Sequence, residues 1–242
     1  LEQLIAADLV ERKPEEALMR LNSAIQANPD AASLYALRGR LRMFELRGKD
    51  GRIGSPELVE EDLSTAIQKD PSGSDAYRFL AAFYEISGRM PDALKTYESA
   101  RDNQPGNASV RLVLGSLYEV DGRKTAAMAE YEEAVRLDPK QGVARNNLAW
   151  LLAESAPNDS PELDRALELA QDARELMPAD ANVADTLGWV LYRKNIPVAA
   201  IPLFREAIGQ LEDGSRVRPL MRFHLAQAYE LNGQLAEAIA EI

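Results

Sequence analysis

The stretch "VRLVLGSLYEVDGRKTAAMAEYEEAVRLDP" (Val110 to Pro139) decides the fold, because it contains two amphipathic helical patterns separated by a turn. Gly115 lies inside the first pattern, where a glycine costs about 1 kcal/mol relative to alanine. A close approach between two helices offsets that cost if Gly115 and Ala127 are the small residues at their contact. Gly122 suits a left-handed helix end, and the residue before Pro139 disfavours helical geometry. The stretch therefore predicts a helical hairpin.

The same hairpin pattern occurs 34 residues earlier in the chain. Seven positions keep their size and chemistry over this interval, pairing Gly115, Tyr118, Gly122, Ala127, Tyr131, Ala134 and Pro139 with Ala81, Tyr84, Gly88, Ala93, Tyr97, Ala100 and Pro105. Self-similarity at one fixed period indicates a repeat architecture. Because Ala81 stands where Gly115 does, we expect alanine to serve at this position nearly as well as glycine.

This order of small, aromatic, glycine, alanine, aromatic, alanine and proline residues resembles the tetratricopeptide repeat. The pattern is almost intact in 74–107 and 108–141, and altered units begin near residues 32, 142 and 181. An incomplete unit precedes them, and another opens at Leu225. The resemblance implies an all-α fold, a right-handed superhelical solenoid of antiparallel helical hairpins, as one domain over 1–242 with about seven units. We expect the domain to be part of a longer chain, because both ends fall within hairpins.

Three segments depart from the repeat and are rich in Gly, Pro, Asn, Asp and Ser, which is typical of loops. They are Arg47 to Glu57, Glu154 to Asp164, and Glu212 to Leu220. Two interpretations stay open for them, namely tolerated insertions at exposed turns and contacts with a partner.

The composition excludes several functions. The net charge of -11 makes nucleic acid an unlikely partner, because a phosphate-binding surface needs clustered Lys and Arg. The chain has no cysteine, which removes disulfides and thiolate zinc sites, and its apolar runs are too short to span a membrane. His224 is the only histidine, and we expect a structural or surface role for it. We expect the glutamates of Glu130 to Glu133 to face water. No catalytic constellation is visible, so we predict a protein that is not an enzyme and has no cofactor or metal.

The resemblance also implies a binding surface. In this family, ligands usually lie against the first helix of each unit, and the contacting side chains lie two or three positions before the small packing residue, or one or four after it. Those positions hold the residues that we predict to bind a partner: Arg78, Glu85, Glu119, Asn146, Asn147, Trp150, Asp185, Trp189, Tyr192 and Gln227. Ala82, Ser116, Phe223 and Glu230 occupy further positions of the same kind.

Both tryptophans of the chain fall on one repeat position, in "NNLAWLL" and "DTLGWVL". Trp is enriched at binding hot spots. The alternative is that Trp150 and Trp189 pack between hairpins and bind nothing, and the sequence leaves both interpretations open.

Chaperone-tail adaptors of this family hold acidic peptides with a clamp of Lys, Asn and Arg side chains. The equivalent positions here hold only one cation, Arg78, which is too few to grip a carboxylate. Chaperone-tail binding is therefore not expected.

We predict a protein–protein interaction scaffold that binds a peptide or protein in its groove. The alternatives are a self-assembly module that stacks through its end repeats, and a regulatory domain of a larger enzyme. The segment Asn146 to Lys194 resembles repeats of bacterial envelope lipoproteins from exosortase and exopolysaccharide systems. That likeness favours the periplasm or cell envelope over the cytoplasm, although cysteine-free chains occur in both.

Overall fold

The structure, a computed structural model, describes residues 13–44, 55–212 and 214–242. Within those residues it contains thirteen helices and no strand. On either side of residues 108–120, consecutive helices pack against each other as hairpins. The predicted all-α fold of helical hairpins is therefore confirmed.

The chain divides into two compact units, one ending at Val110 and one beginning at Arg111. Helix α6 (Ala108–Val120) contains this boundary. The helices before it are α1 (Pro14–Ala27), α2 (Ala32–Phe44), α3 (Pro56–Lys69), α4 (Ser74–Ile86) and α5 (Met90–Asn103). Those after it are α7 (Lys124–Leu137), α8 (Gly142–Ser155), α9 (Pro161–Leu176), α10 (Ala181–Arg193), α11 (Pro197–Gln210), α12 (Arg218–Leu231) and α13 (Leu235–Glu241).

Proline marks the start of several helices, and a glycine or asparagine with positive φ follows the end of others. Several second helices begin with proline in the first turn, including α3, α5, α9 and α11, where a missing N–H costs nothing. Gly122 has a φ of 77° just beyond α6, and the N–H of Arg123 closes the turn onto the carbonyl of Tyr118 at 2.8 Å. Asn195, with a φ of 61°, takes the glycine's place after α10. The predicted left-handed helix ends are thus present.

Two of the predicted loops separate helices in the second unit. Residues 156–160 join α8 to α9, and residues 211–217 join α11 to α12. Residues 47–54 of the predicted insertion at Arg47 to Glu57 lie outside the described part of the chain.

The small residue of the first helix faces a large residue of the second. A Cβ atom on Gly115 would lie 2.6 Å from the Tyr131 ring, and one on Gly188 would lie 2.8 Å from the Phe204 ring. The expected close approach at Gly115 is present, and the atoms nearest to it belong to the Tyr131 ring. The expectation that alanine would serve nearly as well as glycine is not met at this position, because an added Cβ atom would require the Tyr131 ring to move.

One expectation about charge is also wrong. Glu130 is buried and its carboxylate lies 2.9 Å from the guanidinium of Arg111, whereas Glu132 is exposed as expected. A buried carboxylate is tolerated where a cation pairs with it.

Candidate functional site

The predicted binding residues divide between the two units. Arg78 and Glu85 lie on α4 in the first unit. The others lie in the second unit, on the first helices α6, α8, α10 and α12. Since α8, α10 and α12 are adjacent helices, the second unit brings most of its predicted residues to one face.

The centre of that face is an aromatic strip, formed by Trp150, Trp189 and Tyr192. The ring centroids of the two tryptophans are 5.8 Å apart, and Tyr192 stacks on Trp189 at 5.1 Å. All three side chains are half-buried. Trp189 and Tyr192 also pack against a core cluster that contains Phe204. The strip is therefore anchored in the core at one side and reaches solvent at the other.

A buried histidine lies behind the strip. The His224 ring centroid is 4.7 Å from that of Trp189 and 5.8 Å from that of Trp150. Its Nδ1 lies 3.0 Å from both carboxylate oxygens of Asp185, which is also buried. This pair links α10 to α12 and fixes the orientation of the imidazole against both indoles.

Polar groups border the strip. The indole N–H of Trp189 donates to Oε1 of the exposed Glu154 at 2.9 Å. Asn146 lies one turn before Trp150 and donates to Oδ1 of Asn147 at 3.4 Å. The amide oxygens of Asn146 and Gln227 are buried and accept no hydrogen bond. Buried acceptors without a donor are rare in folded proteins.

A second polar group lies at the start of the same face. The hydroxyl of Tyr131 is 3.0 Å from Oε2 of Glu119 and 3.1 Å from Oγ of Ser116. Burial, with Glu119 beside the hydroxyl, raises the pKa of Tyr131 to about 12. Glu119 therefore lies on the predicted face, but its carboxylate is engaged by a core tyrosine.

The first unit contains a separate cleft. It has a volume of about 690 Å³ and lies between α2 and α4. Arg78 lines it together with Arg40 and Phe79, and the two guanidinium groups lie 4.4 Å and 5.8 Å from the Phe79 ring centroid. Arg78 also pairs with Asp75 at 2.7 Å. Glu85 is exposed, and its charge adds to the effect of burial, which raises the pKa of Tyr97.

The sequence predicts a structural or surface role for His224, and the structure shows it buried and paired with Asp185. Sequence reasoning did not find its contacts with the two indoles, and it missed two further residues of these sites. Glu154 and Arg40 gave no comparable signal, because only the packing of neighbouring helices brings them to Trp189 and Phe79.

This arrangement can bind a ligand through non-covalent contacts, because it offers aromatic rings and hydrogen-bond acceptors. Among the described residues, no three His, Cys, Asp or Glu side chains are grouped to hold a metal ion. No helix in that part of the chain has the length and apolarity needed to cross a membrane.

Helical hairpins with a small residue facing a large one define a class of helical repeat proteins. The family model of the tetratricopeptide repeat matches residues 60–108, 87–142 and 204–242, which together make up half of the chain. The chain therefore belongs to the tetratricopeptide repeat family. No curated protein matches it in sequence.

Solved structures share this fold. The Pseudomonas aeruginosa protein pilF is 18% identical with a TM-score of 0.63, covering 88% of this chain and 89% of its own. YrrB, described as a protein of this family with an unusual peptide-binding site, is 21% identical with a TM-score of 0.60, covering 80% and 93%. MamA is 17% identical with a TM-score of 0.59, covering 75% and 92%. At these identities the likeness establishes the fold alone, and it confirms the predicted class of helical-repeat solenoid.

Proposed function

We propose that this protein is an interaction scaffold whose second unit holds a peptide or protein segment against α8, α10 and α12. The tetratricopeptide repeat is a fold of protein–protein interaction, which supports a protein or peptide as the partner. The observation that carries the proposal is the aromatic strip, with two half-buried tryptophans and a tyrosine on neighbouring helices. Aromatic side chains that are anchored on one side and open on the other are the usual hot spots of interfaces.

Partner capture tests the proposal. The wild-type protein and Trp189→Ala are used as bait in lysate of the native host, and bound proteins are identified by mass spectrometry. Val198→Ala is the matched control, because Val198 is an exposed apolar residue on the second helix α11. We expect the variant without the Trp189 ring to lose partners that the wild type and the control retain. Equal capture by all three would exclude the strip as the binding surface.

We also propose that the scaffold serves a bacterial envelope assembly or export system. The support is the likeness of Asn146 to Lys194 to repeats of envelope lipoproteins. Fractionation of the native host tests this point, since a protein recovered only with the cytoplasm contradicts it.

A second candidate function is self-association. Helix α13 exposes Leu235 and Ile239 by 61% and 75%, and Ile242 follows with 90%. Apolar side chains grouped in this way favour association. Light scattering over a wide concentration range tests it, and a mass that stays monomeric throughout excludes it for this chain.

A further inference from the structure

The aromatic strip presents an electron-rich surface. The faces of aromatic rings carry partial negative charge, and cations bind over indole faces most strongly. Trp150 and Trp189 supply two half-buried indoles at a centroid distance of 5.8 Å, and Tyr192 extends the strip by stacking on one side of Trp189. The strip is therefore matched to a ligand that brings positive charge.

The positions around the strip supply acceptors. Glu154 accepts the indole N–H of Trp189 and is exposed to solvent. Glu230 is exposed three residues after Gln227. None of the positions that the repeat pattern predicts to face a partner on α6, α8, α10 and α12 holds Lys or Arg.

The nearest cations in sequence are already engaged. The guanidinium of Arg193 donates to the carbonyl oxygens of Ala153 and Ala156. The ammonium of Lys194 pairs with Asp164. The charge of Lys194 is therefore paired, and the Arg193 guanidinium is held by backbone carbonyls.

Two buried acceptors supply an independent observation. Asn146 is 8% exposed, and its Oδ1 has no hydrogen-bond partner. It lies at i-4 from Trp150 and therefore on the same helix face. The Oε1 of Gln227 is likewise buried without a donor, three residues after His224, whose ring contacts both indoles. Both oxygens are closed to solvent, so the polar lining behind the rings supplies no positive charge that would oppose a cationic ligand.

We infer that the strip binds a cationic peptide segment, in which an arginine or lysine side chain lies over the indole faces and within reach of Glu154. This inference rests on the proposed function and names the chemistry of its partner. Flanking apolar side chains of the segment cover the half-buried rings. An acidic segment finds no cation at these positions.

Defined peptides test the inference. The probes are three capped nine-residue peptides that alternate leucine and alanine with arginine, with its uncharged isostere citrulline, or with glutamate. Binding is measured by calorimetry and by the fluorescence of the two tryptophans. We expect the arginine peptide to bind about two- to thirtyfold more tightly than the citrulline peptide, as cation–π contacts allow. The glutamate peptide should not bind measurably.

Variants separate the strip from general attraction to an acidic protein. We expect Glu154→Gln to weaken binding of the arginine peptide severalfold, and Trp189→Leu to abolish its preference over citrulline. Glu168→Gln is the matched control, because Glu168 is exposed on the second helix α9. If Trp189→Leu does not fold, Glu154→Gln and the citrulline comparison still decide the matter.

Each outcome has a consequence. Equal affinity for the three peptides, or no binding of the arginine peptide, overturns the cationic preference but leaves the scaffold proposal to the partner capture. Equal weakening by Glu154→Gln and Glu168→Gln also overturns it, because the attraction then comes from net charge alone.

Discussion

The ring of Tyr131 packs directly against the backbone of Gly115, and a Cβ atom at residue 115 would lie 2.6 Å from Cε1 of that ring. The same arrangement occurs between Gly188 and Phe204 in the hairpin of α10 and α11. The glycine inside α6 is therefore explained by the aromatic side chain that crosses it. The large side chain fills the space that any other residue at 115 would occupy.

The first prediction concerns this contact. Gly115→Ala should lower the free energy of unfolding by about 1–3 kcal/mol, because overpacking outweighs the better helix propensity of alanine. Gly209→Ala is the control, since Gly209 is also helical but a Cβ there meets nothing within 4 Å. It should be neutral or raise stability by up to about 1 kcal/mol. Thermal and urea unfolding measure both, and equal effects would show that Tyr131 is not so close.

The second prediction concerns the helix ends. Gly122 has a φ of 77° with open space around it, so Gly122→Ala should cost about 1 kcal/mol through backbone conformation alone. Asn195 occupies the same conformation with a φ of 61°, so Asn195→Gly should lose nothing. Gly106→Ala serves as a control at an open position where no positive φ occurs. Urea unfolding of the three variants distinguishes them, and a loss at Asn195→Gly would contradict the backbone argument.

The repeat pattern predicts much of the fold because each hairpin is specified locally. The pattern consists of a small residue, a glycine seven positions later and a proline just after the second helix. Each of them acts through contacts within one or two helices. For that reason the amino-acid sequence alone, through Gly115, Gly122 and Tyr131, indicates the helix ends and the close contact. What the pattern does not supply is the partner of Gly115, because it predicts that two faces meet without saying which atoms touch.

The candidate site is less predictable than the fold. Trp150 and Trp189 share one repeat position in the sequence, and their rings are neighbours in the structure. The contacts of His224, Glu154 and Arg40 depend on the rotation between neighbouring hairpins. The repeat period of the sequence does not determine that rotation. Whether the strip binds a partner is likewise a question of surface chemistry, and it stays a prediction.

The third prediction concerns alkaline pH. Burial raises the pKa of Tyr131 to about 12, above the ordinary value of 10. Because the folded pKa is raised, the contribution of this tyrosine to stability is complete below pH 10 and is lost as the pH rises from 10 to about 12. The midpoint of urea unfolding should therefore fall over this interval. Tyr131→Phe should reduce the slope of that part of the profile, and the remainder comes from Tyr84, whose pKa burial also raises to about 12. An unchanged slope would contradict the assignment to Tyr131.

The fourth prediction concerns the buried pair behind the strip. Asp185→Ala removes the acceptor of the His224 Nδ1–H and should cost about 1–3 kcal/mol, because a buried donor is left unsatisfied. Asp185→Asn keeps an acceptor oxygen and should cost less. Thermal melts measure the stability, and the imidazole N–H signal in NMR spectra should be protected from exchange in the wild type and Asp185→Asn but not in Asp185→Ala. Equal stability of the alanine and asparagine variants would rule out this hydrogen bond as a stabilising contact.

The last prediction concerns the two tryptophans. Because they are half-buried, replacing them should affect partner affinity more than the stability of the fold. A fully buried aromatic ring such as Phe204 should cost about 3–5 kcal/mol of stability when replaced by alanine. Trp150→Ala and Trp189→Ala should cost less than Phe204→Ala, because part of each indole is already in contact with water. Both should weaken partner binding by roughly thirtyfold if the rings are hot spots. Thermal melts need no partner and come first. Losses as large as that of Phe204→Ala would make the rings core residues and remove the strip as a binding surface.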